Sequence, residues 1–400
     1  MSVAETFPPQ GRGGARSPRI TICYPFAGDL IGGSHFSVRG LLKNLDPARY
    51  RVLIVPEVPN GKVAAHFSDF EQIADPASGG VPFTPGEKFN SAKFLSTFAG
   101  IPARARFLRE QGVDIVHSND GRTHAVWSLA ARMAGAHLVW HHRADPDALG
   151  LRLLAPLAAS KVLTVSRFSL PKKQIWSAAD KAEVVFSPFD TSIQADRGEA
   201  RNRILKHADL PEDALVLGYF GSFVPRKRPL LFVDVIAELR SRSDRPIYGL
   251  MFGEAKIPEW DEKLRNHIQD RGMDDAVKLM GFQSPGHEWI AGCDQLVVPA
   301  VSEPLGRTLV EAMLVGTPVV ATRSGGNVEA LAGECGLLVE PENAVALADG
   351  VEAIENDTAT TKQMVERAAI SARDRFSEAR HAQKIRQVYD ELLNLDASAS

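Results

Sequence analysis

Four hundred residues, at about 100–200 per domain, indicate two or three domains. Lys and Arg number 46 against 49 Asp and Glu, a net charge of −3, so the chain lacks the basic surplus of a nucleic-acid binder. An apolar fraction of 44% and a charged fraction of 24% describe a soluble globular chain with material for a core in each domain. Cys23, Cys293 and Cys335 are far apart and odd in number, which excludes a disulfide framework and any metal-ligand spacing. They read as buried, reduced thiols of a cytoplasmic protein.

Residues 1–18 are rich in Gly, Pro and Arg without an apolar centre, and read as a disordered lead-in, not a secretory signal. Ordered sequence opens with the β-rich run RITICYPF (19–26), followed by a Gly-bearing loop, a helical pattern in HFSVRGLLKNL and a second strand, YRVLIVPE. Strand and helix patterns keep alternating through FLREQGVDIVHSN, AVWSLAARMAG, HLVWHH and SKVLTVS. In IPARARFLRE, Arg104, Arg106 and Arg109 read as a solvated helix face. Ala148–Val165 is the most apolar stretch, but Arg152, Pro156 and Lys161 break it into a helix leading to a buried strand, and no run of 18 apolar residues exists to span a membrane.

A polar stretch at 190–214 interrupts the series, which restarts with LVLGYFGSF and runs through PVVATRSGG and CGLLVE to helix-forming sequence at about 343–395. Such alternation predicts βαβ units and parallel sheets. The expected architecture is α/β, two Rossmann-like domains facing each other across a cleft. Their bounds are 19–195 and 196–375, and the crossover helix and tail, 376–400, return to the first domain. After the first strand the chain reads Gly28-Asp-Leu-Ile-Gly32-Gly33, not G-x-G-x-x-G, and no G-x-x-x-x-G-K-[ST] occurs, which disfavours a nicotinamide oxidoreductase and a P-loop NTPase. Ligand is expected at the carboxyl ends of the strands, between the domains.

The chemistry-bearing segment is 297–331. A strand ends in a loop with Glu303, and a helix starting near Gly306–Arg307 carries Glu311 and stops at Gly316-Thr-Pro318. Free N–H groups at such a helix start suit phosphate, and neighbouring carboxylates suit the hydroxyls of a ribose or a sugar. The run EPLGRTLVEAMLVGTPVVAT, with its two glutamates separated by seven residues, resembles the E-x7-E signature of retaining glycosyltransferases of family 4, in the GT-B fold. That resemblance extends over roughly residues 19–395 and is stronger in the second half.

The resemblance implies transfer of a sugar from a nucleotide diphosphate sugar to an acceptor hydroxyl with retention, in surface polysaccharide or glycolipid assembly. GYFGSFVPRKRP (218–229) is similar to the family's strand–loop that holds the donor diphosphate. Lys227 falls on the Lys position with Arg226 beside it, whereas Ser222 stands where Arg is usual and Arg228 where Gly is usual. Gly32 and Gly33 match a loop that lets backbone N–H groups approach phosphate. Glu311 would accept from the ribose hydroxyls and Glu303 from the transferred sugar, with Gly306 and Arg307 on the donor side. In WHHR the resemblance aligns on His141 or His142, of which strand alternation turns only one to the cleft. His141 is favoured, with Arg143 near the acceptor alongside His117 and Asn119. No metal and no cofactor are expected. The partners implied are the nucleotide-sugar donor and a saccharide or lipid-linked acceptor, with a peripheral contact at the inner face of the membrane kept open and nucleic acid excluded. The rival readings are a non-catalytic glycosyltransferase-like binding subunit and, behind it, a nucleotide-sugar epimerase.

Overall fold

The computed structural model describes residues 19–78 and 99–395, so the N-terminal lead-in and the last five residues lie outside the described residues. Two parallel sheets carry the architecture. The first is built from β1 (Ile20–Phe26), β2 (Tyr50–Pro56), β3 (Glu71–Gln72), β4 (Ile115–Ser118), β5 (His137–His142), β6 (Lys161–Thr164) and β7 (Ala182–Val184). The second is built from β8 (Leu215–Phe220), β9 (Ile247–Phe252), β10 (Val277–Gly281), β11 (Gln295–Val298), β12 (Val319–Thr322) and β13 (Leu337–Val339). Their orders are β3-β2-β1-β4-β5-β6-β7 and β10-β9-β8-β11-β12-β13. In both sheets the order reverses beside the first strand, so a crevice opens at the carboxyl ends of β1 and β4 and, in the second sheet, of β8 and β11.

Buried strands with helices on both faces explain the near-continuous apolar runs in the sequence. Trp127, Trp140 and Leu138 pack one face of the first sheet, and Ile22, Tyr24, Ile54 and Leu163 the other. Of the polar stretch 190–214, Arg197–Ala208 is a helix whose Ala200 and Ile204 join the second domain's cores. All three cysteines are buried free thiols.

The chain crosses between domains twice, side by side: Phe189 N–H donates to Phe376 O at 2.8 Å. A further tie spans the domains, where the Glu329 carboxylate accepts from the N–H groups of Arg167 (2.8 Å) and Phe168 (3.1 Å). After the second crossing, the helix Glu378–Leu392 lies on the first domain, capped by Ser377, whose Oγ accepts from Arg380 N–H. Ile385, Val388 and Tyr389 are buried in the core under β1 and β4, with Leu392 and Leu393 at its edge. Burying Ile385 and Val388 contributes about 1.5–3 kcal/mol each. Among the described residues no helix is long and apolar enough to cross a membrane.

Two local expectations are corrected. Arg104 is not on a solvated face: it is 5% exposed, its guanidinium bonds the equally buried Asp75 at 2.7 Å, and it lies over the Trp127 ring. Only the fold brings Asp75, 29 residues away, to that helix. The stretch Ala148–Val165 holds two short helices, Leu149–Leu153 and Ala155–Ala158, before β6. They bury Leu151, Ala155 and Ala158 and leave Leu149, Leu153 and Leu157 exposed.

Candidate active site

Lys227 and Glu303 meet at the carboxyl edge of the second sheet. Lys227 follows β8 in a short turn, Pro225–Lys227, and Glu303 follows β11. Lys227 Nζ lies 2.7 Å from Glu303 Oε2, and Arg226 pairs with the same oxygen. The two loops are also joined through the backbone, Val301 N–H donating to Arg226 O at 2.8 Å. Glu303 is 6% exposed, so it is not a surface charge of a loop; two cations offset the desolvation of its carboxylate.

The loop after β12 holds Glu303 in place. Gly326 N–H donates to Glu303 O at 2.7 Å, and Ser302 N–H donates to Ser324 Oγ at 3.1 Å. Gly325 has φ +56°, and a Cβ there would stand 2.6 Å from Glu303 O, so both conformation and space demand glycine. This grip on Glu303 comes from a loop more than twenty residues later in the chain.

The helix Arg307–Val315 starts at Gly306 and ends on Gly316 with φ +77°. Glu311 is half-buried on it, and burial raises its carboxyl above the ordinary range against the opposing charge of Arg307. The Arg307 side chain reaches across to the first domain. Its guanidinium covers the Phe189 ring at 4.2 Å and donates to Ser37 Oγ at 3.3 Å. A Cβ on Gly33 would come within 2.8 Å of Arg307 Cδ. Gly33 therefore admits the arginine stem. Gly32 departs from its expected role, since its N–H is already taken by His35 Nδ1 at 3.1 Å. His35, third in the helix Gly33–Lys43, folds back because the first-turn N–H groups have no partner within the helix.

The two candidate histidines are enclosed, which corrects the expectation of an imidazole open to the cleft. His142 is 3% exposed, and its Nε2 donates to Asp145 O at 2.8 Å. His141 is fully buried between the rings of His117 and His381, because the C-terminal helix covers that side of β5. His117 Nε2 lies 3.2 Å from His141 Nδ1, its Nδ1 2.6 Å from the Tyr389 hydroxyl, and that hydroxyl 2.6 Å from Tyr24. Burial holds His117, His141 and His381 well down, so all three are neutral at pH 7. His381 and Tyr389 were not legible as site residues, because no local spacing links them to His117.

Arg143 leaves β5 next to this cluster. It donates to Ser187 Oγ at 2.9 Å and, at 3.3 Å each, to Asn119 Oδ1 and His141 Nδ1. Asn119 is buried, and its amide bonds His117 O at 3.2 Å. Among the described residues no group of three or more His, Cys, Asp or Glu side chains is placed to hold a metal.

Comparison with known proteins bears on the same regions. Residues 200–370 match the family "Glycosyl transferases group 1". Among curated proteins, a D-inositol 3-phosphate glycosyltransferase of Corynebacterium efficiens is 31% identical over 221 residues, 53% of this chain and 51% of that protein. One of Kribbella flavida is 28% identical over 300 residues, 68% of this chain and 70% of that protein. The chain spans about half the length of most of the curated relatives it matches. Among solved structures, Anabaena HepE in complex with UDP and glucose superposes with a TM-score of 0.76 at 21% identity, over 93% of this chain and all of that one. Residues 200–370 are thus similar to a glycosyl transferases group 1 domain, and the two parallel-sheet domains have the GT-B fold.

Proposed function

We propose that this protein transfers a sugar from a nucleotide diphosphate sugar to an acceptor hydroxyl, with retention, in surface polysaccharide or glycolipid assembly. The observation that carries the reading is Glu303 held by Lys227 and Arg226 at the switch point of the second sheet. Two cations beside a buried carboxylate suit a donor that is anionic at its diphosphate and rich in hydroxyls at its sugar. Similarity to glycosyltransferases, and a fold shared with HepE, which was solved with UDP and glucose, support the same chemistry and make UDP-glucose the first donor to test.

In this reading the diphosphate replaces Glu303 as partner of Lys227 and Arg226, which stabilise the charge that grows on the leaving group. Glu303, released from both ion pairs, accepts from hydroxyls of the transferred sugar. Glu311 accepts from the ribose. The acceptor hydroxyl attacks on the face the diphosphate leaves, through an oxocarbenium-like state with no covalent sugar–enzyme intermediate; as the sugar–diphosphate bond breaks, the hydroxyl proton passes to the departing diphosphate oxygen. Bringing Gly33 and Ser37 against Arg307 closes the cleft over the donor.

The test is a thermal-shift screen of nucleotide sugars followed by an assay of nucleotide release. A ligand at about 100 times its Kd stabilises by about 2.7 kcal/mol, so a true donor stands out clearly. Failure of every nucleotide sugar to shift the protein would sink the proposal.

A further inference from the structure

Arg143 is a cation without a counter-ion. Among the described residues no carboxylate pairs with it; its partners are the neutral Ser187 Oγ, Asn119 Oδ1 and His141 Nδ1, and its Nε is buried with no partner at all. A shielded charge left this way is costly, and proteins tolerate the cost chiefly where a ligand supplies the missing charge.

The surroundings repeat the message. Arg307 comes from the other domain, also without a salt bridge among the described residues, and lies close enough for its charge, after burial, to help push Arg143 down to about 9. His141 Nδ1 accepts from Arg143, which leaves its Nε2 as the protonated nitrogen, and that N–H is buried without an acceptor. The corner therefore holds two arginines and two unsatisfied donors, Arg143 Nε and His141 Nε2. Donors in surplus with net positive charge fit one class of ligand, a group that only accepts and is negatively charged.

Resting on the donor reading above, we infer that Arg143, oriented by its bond to His141 and helped by Arg307, binds an oxyanion carried by the acceptor, a phosphate or a carboxylate. The place fits the acceptor: Arg143 and Asn119 stand at the carboxyl ends of β5 and β4 in the first domain, whereas Lys227 and Glu303 stand in the second. Arg307 reaches this corner only when the domains are together, so an anionic acceptor would also favour the closed form.

The test titrates inorganic phosphate into the full-length protein saturated with UDP, so that the diphosphate site is filled. Phosphate should bind the wild type, and Arg143→Gln should weaken it about tenfold or more, the loss of a charged hydrogen bond, while UDP affinity changes less than about twofold. Arg143→Lys, which keeps the charge without the fork, should fall between. Unliganded Arg143→Gln should melt no lower than wild type, since it removes an uncompensated charge. Glucose 1-phosphate against glucuronate then distinguishes phosphate from carboxylate as the source. No phosphate binding to the UDP-saturated protein, equal losses of UDP and phosphate on Arg143→Gln, or a marked drop in its melting temperature would each overturn the inference. If UDP itself does not bind, the donor reading fails separately. Phosphate titration of nucleotide-free Arg143→Gln against Lys227→Ala still decides this site, and a larger loss in Lys227→Ala counts against it.

Discussion

Lys227 Nζ and Glu303 Oε2 are 2.7 Å apart, an ion pair between loops that follow β8 and β11. The pair fixes a buried carboxylate and a lysine side chain at the sheet edge before any donor arrives. Removing an electrostatic stabiliser of a leaving group typically lowers kcat about 10²–10³-fold. Lys227→Ala should lose turnover by that order with UDP-glucose, or with the donor the screen identifies, while circular dichroism shows it folded. Near wild-type turnover would assign the diphosphate to Arg226 or Arg228 instead.

Glu311 sits where burial raises its carboxyl and Arg307 opposes the rise. For an acid held above its unfolded pKa, ionisation disfavours the fold, so stability is lost as pH rises from about 4.3 through the raised value. Glu311→Gln should therefore be at least as stable as wild type near pH 7. It should also bind UDP about tenfold or more weakly, because the ribose loses a charged acceptor. In the wild type, UDP affinity should fall with pH sooner than an ordinary carboxylate would allow. Calorimetric titration from pH 7.5 to 5 measures both; unchanged UDP affinity in the variant refutes the ribose role.

The buried histidines make the fold sensitive to acid. His117, His124 and His141 are pushed well down by burial, and His381 to about 3. In the unfolded chain each takes up its proton near pH 6.5, so their stabilising effect is complete above about 6.5 and is lost as pH falls, for His381 down to about 3. Urea unfolding at pH 7.5, 6 and 5 should show a progressive loss. His381→Asn, which keeps the donor to Phe186 O, should flatten that slope. A stability that holds level from 7.5 to 5 contradicts this account.

Truncation after residue 375 removes the helix Glu378–Leu392 and uncovers the core face that Ile385, Val388 and Tyr389 seal. The shortened protein should expose apolar surface to a hydrophobic dye and lose transfer activity. The milder Tyr389→Phe keeps the packing but strands His117 Nδ1 and the Tyr24 hydroxyl, at about 1–3 kcal/mol of stability by denaturation. A soluble, fully active truncation would show that the helix is dispensable.

The sequence by itself determined the elements and the loop chemistry. Apolar runs alternating with helical patterns marked the strands, and helix-forming sequence to about residue 395 marked the last helix. The run around Glu303 and Glu311 placed two carboxylates on one loop and one helix, because those signals are local in the chain. Tertiary structure decided which charges meet. Arg104 reads as a surface residue from its neighbours Arg106 and Arg109, but folding sets it against Asp75 inside the first domain. Lys227 and Glu303 are 76 residues apart in the chain, and strand order alone brings β8 beside β11. His141 was set by alternation to face one way, yet what lies there, His117 and His381, arrives from β4 and from a helix 240 residues later. Local pattern fixes which face a side chain takes; only the path of the whole chain fixes what it finds there, and so which charges are paired and which, like Arg143, are left waiting.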